Sequence, residues 1–425
     1  MSRWLSAAEG AARIRAGTLT STALVRACLE RIAEREPVVG AWQFLDAEAA
    51  LRAAHAADRA PARGALHGVP FGVKDIMDTA DMPTGLGFAP YADRRPVWDA
   101  ACVAACRRAG GIVLGKTVTT EFAFSAPVKT RHPLRPDATP GASSSGSAAA
   151  VADGMVPIAF GSQTLSSIIR PAAYCGVVGY KASHGEYSLS GIRPFAESFD
   201  SLGLAARNVG DIALLRDVLL EREGAAFTPR SAAPRLGVCR TPHWDGLGRD
   251  VQDAFDTAVA ALAAAGASVE DVPVPAAFLA LDDAHRTIMA YEAARNYVFE
   301  QEHHRAALSE NFRALCDSGR GVSRGALAHA HHAMTAAIAQ VPTAMGPFDA
   351  WIAPAARTEA PPATTGMGDP LLSRMWTALR IPSLTLPAGR GATGLPLGVQ
   401  LLVPSGADDA LLATGAWAAP PLAEL

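Results

Sequence analysis

Two serine-rich turns and one lysine are the residues in this chain whose types and spacing could do chemistry. The first turn reads Pro140-Gly141-Ala142-Ser143-Ser144-Ser145-Gly146-Ser147. The second reads Gly161-Ser162-Gln163-Thr164-Leu165-Ser166-Ser167-Ile168-Ile169-Arg170-Pro171-Ala172. Small hydroxyl residues stand where the chain must bend tightly. Such turns expose backbone N–H groups and bring serine side chains close to a ligand. Either turn alone reads more simply as a loop or linker. The upstream run His67-Gly68-Val69-Pro70-Phe71-Gly72-Val73-Lys74-Asp75 reverses that balance. It is apolar and strand-like, and it ends on one lysine. A lysine at the end of a buried strand is costly unless it has a partner or a role. Burial lowers its pKa toward neutrality, which makes it usable as a base. A serine is a poor nucleophile at its own pKa and needs such a base.

In order and in register, the three segments resemble the amidase signature family of serine hydrolases. The family pattern reads G-V-P-x-x-V-K-D, then P-G-G-S-S-G-G-S, then G-T-D-T-G-G-S-I-R-x-P-A. Here these become Gly68 to Asp75, Pro140 to Ser147 and Gly161 to Ala172. The resemblance is strong from Arg63 to Leu215 and weak in the C-terminal part. It implies a Ser–cis-Ser–Lys triad, with Lys74 as base, Ser143 as the bridging serine and Ser167 as nucleophile. In that scheme neutral Lys74 draws a proton from Ser143, which draws one from Ser167. The relay then runs backward to protonate the leaving amine. The lysine pKa must fall from about 10.4 to near 7 for this.

The resemblance also implies an oxyanion hole built from the backbone N–H groups of Thr164, Leu165, Ser166 and Ser167. Fixed donors of that kind are worth about 3–4 kcal/mol each. Ser144, Gln163 and Arg170 are implied as supporting residues. Glu121-Phe122-Ala123-Phe124-Ser125 is implied as an acyl-side pocket wall, which makes Phe122, Ala123 and Phe124 candidate substrate contacts. Plain core is the competing account of Phe122 and Phe124. The chain departs from the pattern at Ala142, Gln163 and Leu165-Ser166, and Arg170 falls one place late. A cis bond before a non-proline costs about 3–4 kcal/mol, and the Ala142 methyl makes it harder to accommodate. Ser144 is the fallback for Ser143. All three triad residues are retained, so the chain reads as active.

Other constellations carry less. Gly115-Lys116-Thr117 invites a phosphate-loop reading, but no glycine-rich turn precedes it. His67 is the nearest histidine rival to Lys74; it precedes a tight Gly-Val-Pro segment and reads as structural. His303-His304 and His329, His331 and His332 invite a metal. No carboxylate or cysteine nearby completes a ligand set, so a surface cluster and no metal are expected. The six cysteines are spread out. Cys102 and Cys106 are i,i+4 on a helix, yet no second pair joins them. Buried free thiols in a cytoplasmic protein are the simpler account. No cofactor is implied.

The elements that must position these residues follow in order. Ser6-Ala-Ala-Glu9 is a capping-box pattern. Thr20 or Ser21 caps a second helix through Arg35, which Pro37 helps to stop. Residues 46–58 are Ala-rich and helical, so 1–60 form an outer helical layer. From Gly68 strands and helices alternate. Strands are expected at 69–76, 111–114, 155–160, 175–181 and 235–239. Helices are expected at 99–110, 147–152, 167–174, 209–220 and 251–265. Residues 127–139 form a basic, proline-rich surface loop. Residues 275–340 read almost wholly helical and are least like the family, so substrate range is placed there. Strands at 350–354, 382–387 and 394–402 and a helix at 371–379 close the chain. The expectation is one α/β domain over 1–425: a mixed central sheet covered by helices on both faces, with its catalytic core at 63–215.

Composition bounds the function. With 425 residues, 49% hydrophobic and 19% charged, the chain describes a globular protein with a large core. A net charge of −3 and 6% aromatics give no pull toward nucleic acid. No window approaches the roughly 18 apolar residues of a spanning helix, and Met1 to Ser6 carries no signal region. No membrane partner is expected, and the Ala-rich N-terminal helices are compatible with a homodimer. The expected function is hydrolysis of non-peptide C–N amide bonds in a small molecule through an acyl-Ser167 intermediate. Carbamates, as in a urethanase, and aryl esters share the tetrahedral intermediate and are further substrates. Two rivals stand beside this: an ammonia-releasing subunit of a tRNA-dependent amidotransferase, and a catalytically dead homologue acting as a binding module.

Overall fold

The computed structural model describes residues 5–222 and 227–425. Its centre is one mixed sheet of eleven strands. In chain order these are β1 (Trp42–Leu45), β2 (Pro70–Lys74), β3 (Ile112–Thr117), β4 (Ile158–Gln163), β5 (Val178–Lys181) and β6 (Ser201–Ala206). Then follow β7 (Arg235–Val238), β8 (Ser268–Asp271), β9 (Ala350–Pro354), β10 (Ser383–Arg390) and β11 (Pro396–Leu402). Across the sheet the order is β1-β3-β2-β4-β6-β5-β10-β11-β9-β7-β8. β2 runs parallel to β3 and β4, and β7 runs parallel to β8 and β9. The other neighbours are antiparallel.

Alternation along the strands feeds two apolar layers, one on each face. On β4, Ile158 and Phe160 enter one core and Ala159 the other. On β3, Val113 enters the first, and Ile112 and Leu114 the second. Helices cover both layers, so this is a single-domain α/β fold. All six cysteines are free thiols inside these layers. Among the described residues no helix is long and apolar enough to cross a membrane.

Several elements differ from the sequence expectation. The Ser21–Val39 helix carries Pro37 within its last turn instead of stopping before it. A proline there gives up one main-chain bond, and Gly40 at φ 60° ends the helix. β1, β6 and β8 have no counterpart in the sequence reading. β6 reads Ser-Leu-Gly-Leu-Ala-Ala, with little intrinsic strand preference, and forms because β4 and β5 flank it. The Asp408–Ala423 helix also goes unannounced, because Pro420 and Pro421 lie inside it. The 127–139 loop is not wholly on the surface. His132 is buried and its Nε2 lies 2.8 Å from the Tyr174 carbonyl oxygen.

The sheet brings the serine turns and the lysine to one edge. β2 and β4 are parallel neighbours, so their C-terminal ends open together, where ligands bind in open α/β sheets. Lys74 is the last residue of β2 and Gln163 the last of β4. β6 runs back along β4, with Ser201 opposite Gln163, so Asp200 arrives at the same edge. The turn before Ser143 needs a glycine. Gly141 has φ 103°, and a Cβ there would lie 2.9 Å from Pro171 Cα. The two serine turns are thereby pressed together.

Candidate active site

Lys74 is completely buried. Its Nζ lies 2.7 Å from Ser143 Oγ and 2.8 Å from Ser162 Oγ. Among the described residues no carboxylate forms an ion pair with it. Burial holds its amine well below the ordinary 10.5, while the charge of Asp200 pulls the other way. Asp200 is itself pushed up to about 7 by burial, opposed by the Thr164 hydroxyl and the N–H groups of Phe195 and Ala196.

Ser167 is 8% exposed and lines, with Ser143, a cavity of about 80 Å³. No hydrogen bond joins the two hydroxyls in this structure. Instead the Ser144 N–H donates to the Ser167 carbonyl at 3.1 Å. Ser144 Oγ lies 3.3 Å from both the main-chain N and O of Ser162. Ser144 thus ties the turns together, and Ser143 is the serine that meets Lys74. The peptide bond before Ser143 is trans, not cis as the resemblance implies. A trans bond is the lower-energy form before a non-proline, and here the preceding residue carries a Cβ.

The second turn is braced from outside the cavity. Gln163 Oε1 accepts the N–H groups of Ile168 and Ile169 at 3.2 Å each. Its Nε2 donates to Thr377 Oγ1, which donates to the Leu165 carbonyl at 3.0 Å. Ser166 Oγ donates to Ser373 Oγ at 2.9 Å. The side-chain carbonyl of Gln163 therefore caps the Ile169–Cys175 helix although it replaces an aspartate. The N–H groups of Leu165, Ser166 and Ser167 find no acceptor within the described chain. Thr164, Leu165, Ser166 and Ser167 all line the cavity.

The cavity wall also holds Ala123, Phe124, Ser125, Arg170, Met289 and Met367. Arg170 is buried and donates to the Gly368 carbonyl at 2.9 Å, with its Nε unpartnered among the described residues. Phe122 does not reach the wall. It packs among Phe88, Tyr297 and Phe312, with centroids 4.6–5.2 Å away. Positive φ at both Phe122 and Ala123 turns the chain there, so Phe122 enters the core while its two successors face the cavity. Ala123, Thr164 and Phe195 also belong to a second cavity of about 240 Å³, which includes Ser162, Arg193 and Asp200.

The remaining candidates lie elsewhere. His67 is held by the Arg63 N–H and the Ala57 carbonyl, both at 3.1 Å, and lines neither cavity. Lys116 pairs with Asp75 at 3.2 Å and bonds Thr84 Oγ1 at 2.6 Å, so it is structural. His329 and His332 are exposed on the Arg324–Ile338 helix. Among the described residues no group of three His, Cys, Asp or Glu side chains could hold a metal ion. Sequence reasoning missed Ser162, Asp200, Ser373 and Thr377. Ser162 was visible inside the second turn, one residue from Gln163. The others carry no local signal, because the sheet and its cover bring them in from distant sequence.

The fold and the serine–lysine edge define an amidase-type α/β protein. A family model for Amidase matches residues 23–412, and the chain belongs to the amidase family. A glutamyl-tRNA(Gln) amidotransferase subunit of Mycobacterium ulcerans is 32% identical over 96% of this chain and 96% of its own. The same-named subunit of Chloroflexus aggregans is 35% identical over 64% of this chain, which spans 61% of that relative. The structure of native peptide amidase from Stenotrophomonas maltophilia shares 30% identity, covering 97% of this chain and 96% of that one with a TM-score of 0.83.

Proposed function

We propose that the chain is a hydrolase of C–N amide bonds other than peptide bonds, working through an acyl-Ser167 intermediate. The observation that carries this reading is the 2.7 Å contact of Lys74 Nζ with Ser143 Oγ, beside a cavity that Ser143 and Ser167 share. Neutral Lys74 takes the Ser143 proton as Ser143 takes that of Ser167, the two hydroxyls closing to hydrogen-bond distance when substrate fills the cavity they share. Ser167 Oγ then bonds to the substrate carbonyl carbon. The negative oxygen is held by the free N–H groups of the 164–167 turn. As the C–N bond breaks, the proton returns through Ser143 to the leaving amine. Water then enters and the same relay releases the acid. Ser162 holds the amine of Lys74 on its other side. Carbamates and aryl esters follow the same steps and are secondary substrates.

A second reading is favoured by the curated relatives: an amidotransferase subunit that releases ammonia from an amide only with its partner. One experiment separates the two. An anilide, an aliphatic amide, an aryl carbamate and a nitrophenyl ester are offered from pH 6 to 10 to the wild type, Ser167→Ala and Lys74→Ala. The hydrolase gives turnover that rises with pH and falls at least about 10³-fold in both variants. A folded wild type that turns over nothing alone refutes the free-standing hydrolase and favours the partner-dependent reading.

A further inference from the structure

The Leu281–Asn296 helix lies in the segment least like the family pattern, yet one of its residues reaches the 164–167 turn. We propose that His285 is a positioning residue that sets the direction of the Leu165 N–H toward the substrate oxygen. This rests on reading that turn as the oxyanion hole. His285 is 0% exposed, and its Nε2 lies 2.8 Å from the Thr164 carbonyl oxygen. A carbonyl only accepts, so Nε2 carries the proton. The ring stacks on Phe199, with centroids 4.1 Å apart and planes 25° from parallel, which fixes its orientation. Burial holds the imidazole down at about 3, so it is neutral at working pH.

The neutral ring leaves Nδ1 bare, and Nδ1 is buried without a partner among the described residues. Packing alone does not account for that, since a phenyl ring would fill the same place with no unpaired nitrogen. The bond to Thr164 does. The Thr164 C=O and the Leu165 N–H belong to one planar trans peptide and point in opposite directions. Holding the oxygen aims the N–H, and polarising the carbonyl strengthens the donor at the other end. The next two peptides follow the same rule. The Leu165 carbonyl is tied by Thr377 Oγ1 at 3.0 Å, and the Ser166 carbonyl by the Arg170 N–H at 3.3 Å. Three tied carbonyls leave three free N–H groups in succession, and His285 supplies the first tie.

The test compares full-length H285F and H285Q with the wild type. It measures kcat and KM on the best panel substrate, and amide hydrogen exchange across 160–170. H285F keeps the stack and loses the donor. It is expected to lower kcat about 10- to 100-fold with KM within about threefold. H285Q can still donate, and is expected to recover most of the loss. Exchange at Ile168, Ile169 and Arg170, whose N–H groups are bonded within the turn, should quicken in H285F and not in H285Q. A kcat for H285F within twofold of the wild type overturns the proposal, as do equal losses in both variants. If the wild type hydrolyses nothing, the hydrolase reading fails on its own. The exchange arm still decides His285, since unchanged exchange in H285F overturns it. If H285F does not fold, H285N, too short to reach Thr164, replaces it with the same deciding outcomes.

Discussion

Three lysines are fully buried, and each meets different partners. Lys74 meets two hydroxyls, and Lys116 meets Asp75 and Thr84. Among the described residues Lys181 donates only to the Ala182 carbonyl at 2.8 Å, and burial lowers it to about 7 against the pull of Asp408. The unfolded chain therefore binds the extra proton between about pH 7 and the ordinary 10.5. Stability rises with pH across that window, and the cost of burying the amine is fully present below it. Lys181→Met removes a buried charge and is expected to stabilise the fold by about 1–4 kcal/mol at pH 6. The gain should shrink toward pH 10 in denaturant titrations run at both values. Of the candidate site, Lys74 and the two serine turns were legible in the composition of their short runs, which force a strand end or a tight turn, and the choice of Ser143 and Ser167 within those turns came from the family resemblance. Asp200, His285 and Thr377 were not legible. Each is an ordinary polar residue that acquires its role only when folding brings it to Thr164 or Leu165.

Helix contacts decide how firmly the turn is held. Gly319, in the Glu310–Arg320 helix, lies against the helix that carries His285. A Cβ there would sit 1.9 Å from the Ala290 carbonyl oxygen and 2.8 Å from Ala294 Cβ. Gly319→Ala must push the two helices apart and is expected to cost about 1–3 kcal/mol. It should also lower kcat, because His285 moves with its helix. Gly325 is the control. Its nearest neighbour would be 4.0 Å from an added Cβ, and Gly325→Ala should be neutral or stabilising by up to about 1 kcal/mol with unchanged kcat. Calorimetry and kinetics on the two variants check this. Helices were legible where a cap or an apolar period marked them, as with Ser6, whose hydroxyl accepts the Glu9 N–H at 3.0 Å. β6 was illegible because its Leu, Gly and Ala residues favour no element by themselves, and its pairing with β4 and β5 decides.

The sheet is two sequence blocks laid edge to edge, β1 to β6 and β7 to β11, joined where β5 pairs with β10. The seam is buried, and the larger apolar layer crosses it from Tyr180 to Leu384. The 164–167 turn is clamped from both blocks, by Gln163 on one side and by His285, Ser373 and Thr377 on the other. Neither block completes the cavity alone. The six thiols are spread over both blocks and both layers, and burial pushes each above its ordinary 9.0. A thiol must reach solvent and ionise before an alkylating reagent can take it. Iodoacetamide at neutral pH should therefore leave the native chain unmarked and mark it in an all-or-none fashion as it opens. Intact-mass spectra under mild denaturant should show unlabelled and sixfold-labelled molecules together, and a prominent twofold species would show that the seam parts first. The cysteines are then a built-in clock, recording how often the whole molecule breathes.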